Sequence, residues 1–167
     1  IKECDWSSDV CSSDLNKKIM MVVLLILIPL VSGLITFFLK EEKAIKGWSL
    51  FSSIVTLLVA LYAVSTNQQL SYDAPWLPTL GSRFSVGLDG MSKMLTLLTA
   101  ISLPLVLLST YKNNYKNGSV FYALLLLTQT GLMGVFVATD MLLFYFFWEL
   151  ALIPVYFLCS IWGGEKR

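Results

Sequence analysis

The sequence predicts an all-α membrane protein with five transmembrane helices, and three observations carry that prediction. Of the 167 residues, 56% are hydrophobic, and the mean hydropathy of +0.73 lies well above soluble usage. Charged residues make up only 14% and cluster between long uncharged runs. Five of those runs approach 20 residues, about the length a helix needs to cross a ~30 Å hydrocarbon layer at ~1.5 Å per residue.

The same composition excludes other classes. A net charge of +1 gives no electrostatic reason for a nucleic-acid partner. There is no histidine, so the commonest metal ligand and neutral-pH proton shuttle is missing. The three cysteines, Cys4, Cys11 and Cys159, have neither zinc-type nor disulfide-type spacing. No polar segment is large enough to hold a catalytic cleft.

Residues 1–15, IKECDWSSDVCSSDL, are polar and unlike the rest, and they lack the layout of a signal peptide. Back-translation of residues 5–15 gives a string that resembles a common sequencing-library adapter. Residues 1–15 are therefore set apart from the fold as a translated artefact, and Met20 or Met21 is a plausible start. The N-terminal transmembrane region then covers residues 16–167.

Span one is predicted over residues 19–39, with Pro29 and Gly33 inside it, which membrane helices tolerate when neighbours satisfy the freed carbonyls. A charged loop through Lys46 leads to span two, residues 47–64, with Trp48 and Tyr62 as interface anchors. The longest connection, residues 65–88, is expected to hold Pro75-Trp-Leu-Pro78 as a rigid loop, followed by a short strand through Phe84, Val86 and Leu88. Span three follows over residues 91–111, with Asp89 or Ser92 capping its free N–H groups. The turn YKNNYKNG leads to span four, residues 119–138. Asp140 is expected to cap span five, residues 141–162, so spans four and five are antiparallel neighbours. The basic residues Lys40, Lys43, Lys46, Lys112, Lys116, Lys166 and Arg167 fall on one side, which places the N-terminus and the 65–88 loop outside the cell.

Span five carries the candidate chemistry. Between Asp140 and Gly163 the one ionisable acid is Glu149, and an acid within a membrane span marks a functional site by default. Keeping a charge at a helix centre costs on the order of 2.5–3.5 kcal/mol. Protonating an ordinary glutamate at pH 7 costs about 3.7 kcal/mol. The two costs are close, so a nearby cation, or its withdrawal, decides where the proton sits. At 100° per residue, Tyr145, Glu149, Tyr156 and Ser160 share a narrow arc, expected to turn inward from lipid. Pro154 frees the carbonyl of Leu150, which can hold water beside the acid. The spans offer no lysine or arginine at mid-depth as a partner, Lys93 being too near a membrane edge. The blander possibility is a structural acid bonded to Gln129 or Thr128, with Gly131 and Gly134 serving close helix packing.

The segment from Gly134 to Gly164, with Phe147-Trp-Glu-Leu-Ala-Leu-Ile-Pro154 at its centre, resembles the proton-translocating subunit M family of NADH-quinone oxidoreductase, the chain 4 type. Pro75-Trp-Leu-Pro78 and Phe84-Ser-Val-Gly-Leu-Asp-Gly-Met-Ser92 resemble the same family. The resemblance implies an N-terminal fragment of a fourteen-helix antiporter-like subunit of respiratory complex I, in a bacterial inner membrane. It implies that Glu149 takes part in proton translocation, paired with a lysine on a later helix, with Tyr145, Pro154, Tyr156 and Ser160 in support. It implies no cofactor in this chain, with FMN, iron–sulfur clusters and the quinone site on other subunits, and sister antiporter-like subunits and lipid as partners. The fragment alone is expected to be inactive. Two alternatives stand beside it: a subunit of a multi-chain cation/proton antiporter or membrane-bound hydrogenase, and a small non-catalytic five-helix membrane protein.

Overall fold

The computed structural model describes residues 8–39, 41–65, 70–77, 82–113, 115 and 117–163. Its helices are α1 (Ser8–Phe38), α2 (Glu42–Ser65), α3 (Gly90–Thr110), α4 (Gly118–Val137) and α5 (Met141–Trp162). Each contains a stretch long and apolar enough to cross a membrane, that of α1 being Met21–Phe38. Between α2 and α3 lies an antiparallel hairpin of β1 (Leu70–Leu77) and β2 (Ser82–Leu88).

Helix ends differ from expectation where local chemistry extends them. The backbone of α1 is helical back to Ser8, through part of the stretch set apart as an artefact; that stretch has no glycine or proline to stop a helix. Helix α2 begins at Glu42, five residues before the predicted Gly47. An acid in a first turn is favoured by the helix dipole. In addition, Lys46 Nζ donates to the carbonyls of Tyr111 and Asn113, both at 3.0 Å. These groups at and just past the end of α3 lack helical acceptor roles, so one lysine joins the start of α2 to the end of α3.

The loop expectation for Pro75-Trp-Leu-Pro78 is corrected. Pro75, Trp76 and Leu77 close β1, and the register slips between Pro75 and Leu77. In a two-stranded ribbon each strand keeps a free edge, where a residue without N–H is tolerated, especially beside an irregularity. Pro78 lies outside the described residues. The expected strand through Phe84, Val86 and Leu88 is present, and Val86 and Leu88 are buried.

The hairpin fastens onto the α4–α5 turn. Val86 bridges Ala138, Thr139 N donates to Ser85 O at 3.0 Å, and the Ser85 and Thr139 hydroxyls lie 2.6 Å apart. The short Thr139-Asp140 connection makes α4 and α5 antiparallel neighbours, as the spacing predicts. Asp140 occupies the N-cap position of α5 without a side-chain capping bond.

At α3 the expected cap forms: the Asp89 carboxylate accepts from Ser92 N at 2.8 Å. Hydrogen bonds from the Ser92 hydroxyl and backbone N–H hold the Asp89 carboxyl below the usual carboxylate range. A depressed acid stabilises the fold above its unfolded pKa, and that stabilisation is lost as pH falls through the folded value. Asp89→Ala is therefore expected to lower the unfolding temperature at neutral pH and to make little difference in acid. Detergent-solubilised protein heated across a pH series checks this.

The core forms two apolar clusters at different depths. One, at the hairpin end, includes Val22, Leu25, Val86, Met133, Leu143 and Phe147. The other, at the opposite end, includes Ile45, Leu103, Leu107, Phe121, Tyr122 and Leu126. Buried hydroxyls lie along α1, α2 and α4 between them. Ser52 donates to Ser32 at 2.6 Å, while Thr36, Thr56 and Thr130 each donate to a carbonyl one turn back on their own helix. Helix α4 is the most enclosed span, with twelve of its 20 residues buried against four of 22 in α5. That contrast leaves most of α5 open.

Candidate functional site: Glu149 on the open face of helix α5

Two glycines on α4 fix how α5 sits. A Cβ added at Gly131 would come within 2.6 Å of the Ala151 backbone nitrogen. One added at Gly134 would collide with the Phe147 ring. Phe147 and Ala151 therefore fit where α4 has no side chains, and Leu143, Phe147, Ala151 and Pro154 form the buried stripe of α5. Their spacing of four, four and three is that of one helix face.

That stripe sets the direction of Glu149. It lies two residues from both Phe147 and Ala151, hence about 160–200° around the helix from each. Glu149 is half-buried, while Tyr145 and Tyr156 are 61% and 67% exposed and Ser160 is exposed. Among the described helices this arc faces away from the bundle, so the expected shelter from lipid is not supplied by these five helices. The cause is the glycine notch, since close backbone approach on one side of α5 sends the opposite side outward.

Tyr145 and Glu149 are brought together, the phenol lying one helical turn from the carboxyl on the same arc. Tyr156 is seven and Ser160 eleven residues beyond Glu149, about 10 and 16 Å along the axis at ~1.5 Å per residue. They share the arc but not hydrogen-bonding reach. Pro154 is buried on the side of Ala151, and α5 continues through it as one helix.

The structural-acid alternative has no support in the geometry. Thr128 donates its hydroxyl to Leu124 O at 2.8 Å on its own helix. Gln129 is two residues from Gly131, so it lies on the far face of α4 from α5. Its amide has no partner among the described residues.

What remains is an acid–phenol pair near mid-span on an open face. The carboxylate accepts a proton, the phenol donates or accepts a hydrogen bond, and together they can pass a proton one turn along α5. Among the described residues no three His, Cys, Asp or Glu side chains lie close enough to hold a metal. A cavity of about 380 Å³ between α1 and α2 is lined mainly by apolar groups such as Leu27, Val31, Trp48 and Phe51, together with Ser32 and Ser52, and α5 lines none of it.

Sequence reasoning missed the buried hydroxyls of α2. Ser49, Ser52, Ser53 and Thr56 recur at three- and four-residue spacing, a helical period of small polar residues that marks an inward face in a membrane span.

No protein-family model matches the chain. It is 42% identical over 150 residues to the F(420)H(2) dehydrogenase subunit M of Methanosarcina mazei, covering 86% of this chain and 30% of that protein. To the NADH-quinone oxidoreductase subunit M of Buchnera aphidicola it is 34% identical over 162 residues, covering 89% of this chain and 32% of that one. Among solved structures, a chain of respiratory complex I from Thermus thermophilus with bound NADH superposes with a TM-score of 0.76 at 32% identity, over 87% of this chain and 30% of that one. A chain of the Mrp complex from Dietzia sp. superposes with a TM-score of 0.72 at 17% identity, over 90% of this chain and 16% of that one, which shows a shared fold alone. The chain spans about three-tenths of the length of the curated relatives named here. By sequence and fold together, it belongs to the family of multi-pass membrane subunits known as subunit M or chain 4 of the quinone oxidoreductases.

Proposed function

We propose that the full-length protein is a proton-translocating membrane subunit of a respiratory quinone-reducing complex, and that Glu149 is the proton-binding residue of this part. The observation that carries the proposal is the position of Glu149: inside a span, one turn from Tyr145, on a face that the five helices leave open. An acid so placed needs a cover that supplies a counter-charge or water. The later helices of the full-length protein, with a lysine among them, are that cover in this reading, and sister membrane subunits are its further neighbours.

The electron donor is a property of other chains. Relatives this similar carry names that refer to F(420)H(2) and to NADH, so the shared task is the membrane step and not donor oxidation. The redox groups, FMN and iron–sulfur clusters, and the quinone site are assigned to those other chains. The reading places the protein in a bacterial cell membrane. Lys43, Lys46 and Lys112 share the side opposite the hairpin, which puts that side in the cytoplasm and the hairpin and N-terminus outside. The antiporter reading rests on a fold shared at 17% identity and is the weaker one.

Sealed membrane vesicles containing the full-length protein separate the two. Proton uptake that starts on adding electron donor and quinone, and stops with an inhibitor of quinone reduction, is the expected result. Sodium-for-proton exchange that runs without donor would favour the antiporter.

A further inference from the structure

We propose a water-binding file in the core shared by α2, α3 and α4, separate from the Glu149 face. Five polar atoms there are buried and have no hydrogen-bond partner among the described residues: Ser49 Oγ, Ser53 Oγ, Thr96 Oγ1, and both Nε2 and Oε1 of Gln129. Each of the four residues is 0–1% exposed. Gln129 is the centre of the case. Its amide offers two donors and an acceptor with two lone pairs, and all are unmet.

Depth arranges these groups as a file. At ~1.5 Å per residue, Thr96 lies about 9 Å inside the hairpin end of α3 and Gln129 about 12 Å inside that of α4. Ser53 and Ser49 lie about 18 and 24 Å inside the same end of α2. Successive groups are thus offset by about 3 to 6 Å along the membrane normal, a step that one or two bridging waters span. A hydroxyl can pair with a carbonyl one turn back, as those of Thr56 and Thr130 do, but the three hydroxyls here do not, and helical N–H groups are taken up within their own helices. Unpaired polar atoms are costly inside a membrane protein, and bound water with two to four polar partners is the usual remedy. The neighbouring hydroxyls behave differently: Ser52, Thr56 and Thr130 all have protein acceptors. The demand for water is therefore local to this file.

Gln129 projects from α4 on the side away from Gly131 and α5, so water held here does not touch Glu149. The ligand is water itself, bound to a carboxamide and three hydroxyls.

Two measurements on the full-length protein in its native membrane assembly test this. A density map fine enough to show ordered water is expected to place peaks within hydrogen-bonding distance of the Gln129 amide and the Ser53 hydroxyl. Hydroxyl radicals generated from bound water by X-ray pulses are expected to oxidise Met133, one turn from Gln129 and 0% exposed, and that oxidation is expected to be lost in Gln129→Leu. A dry core with the Gln129 amide paired directly to protein groups would overturn the proposal. So would a Met133 that stays unoxidised while exposed Met141 reacts. If Gln129→Leu does not assemble, the wild-type map and the wild-type Met133 yield still decide.

Discussion

Glu149→Gln in the full-length protein is expected to abolish proton pumping while the complex still assembles. Glutamine keeps the volume and a polar amide beside Tyr145 but cannot take up a proton at neutral pH. Assembly is preserved because the buried stripe of α5, from Leu143 to Pro154, lies on the opposite side of the helix. Removing a positioned proton-transfer group costs roughly 10²-fold or more in rate, which brings pumping to the background of a vesicle assay. Tyr145→Phe removes the hydroxyl one turn from the carboxyl and is expected to slow pumping without stopping it. Tyr156→Phe is expected to pump nearly as wild type, because Tyr156 shares the arc with Glu149 but is about two turns away.

Gly131→Leu has the largest structural effect. The added Cβ alone would meet Ala151 backbone atoms at 2.6–2.7 Å, and a backbone cannot rotate aside as a side chain can. Overpacking of a close contact typically costs about 1–3 kcal/mol, and leucine adds three further carbons with nowhere to go. Helix α5 has little else among the described helices to hold it, since only four of its 22 residues are buried. The expected outcome is loss of the assembled protein from membranes, read by immunoblot after mild solubilisation. Gly131→Ala is expected to give a partial loss. Wild-type levels of Gly131→Leu would mean that α5 does not seat on α4 as described.

These two outcomes separate chemistry from scaffold on the same helix, and the division was only partly legible in the sequence. The five spans follow from uncharged runs, and α5 matches its predicted limits residue for residue. The face shared by Tyr145 and Glu149 follows from 100° per residue. Its direction does not, because amphipathicity in a span with an acid suggests inward polarity, whereas close packing at Gly131 and Gly134 turns that arc outward. The same glycines, read together with Phe147 and Ala151 two residues either side of Glu149, contain the answer once antiparallel register is known. The hairpin was half legible: alternation marks β2, but Pro75 hides β1, because a proline argues against a strand until its free edge is seen. The start of α2 was hidden for another reason. Lys46 reads as loop charge, and only the tertiary bond to the end of α3 explains a helix there.

Infrared difference spectroscopy of the full-length protein in its membrane assembly addresses Glu149 most directly. Spectra recorded with and without turnover in water and heavy water report a carboxyl that gains or loses its proton. The expected result is a carboxylic C=O band that changes on turnover, shifts in heavy water and is missing in Glu149→Gln. A band that persists unchanged in Glu149→Gln, with pumping intact, would contradict it.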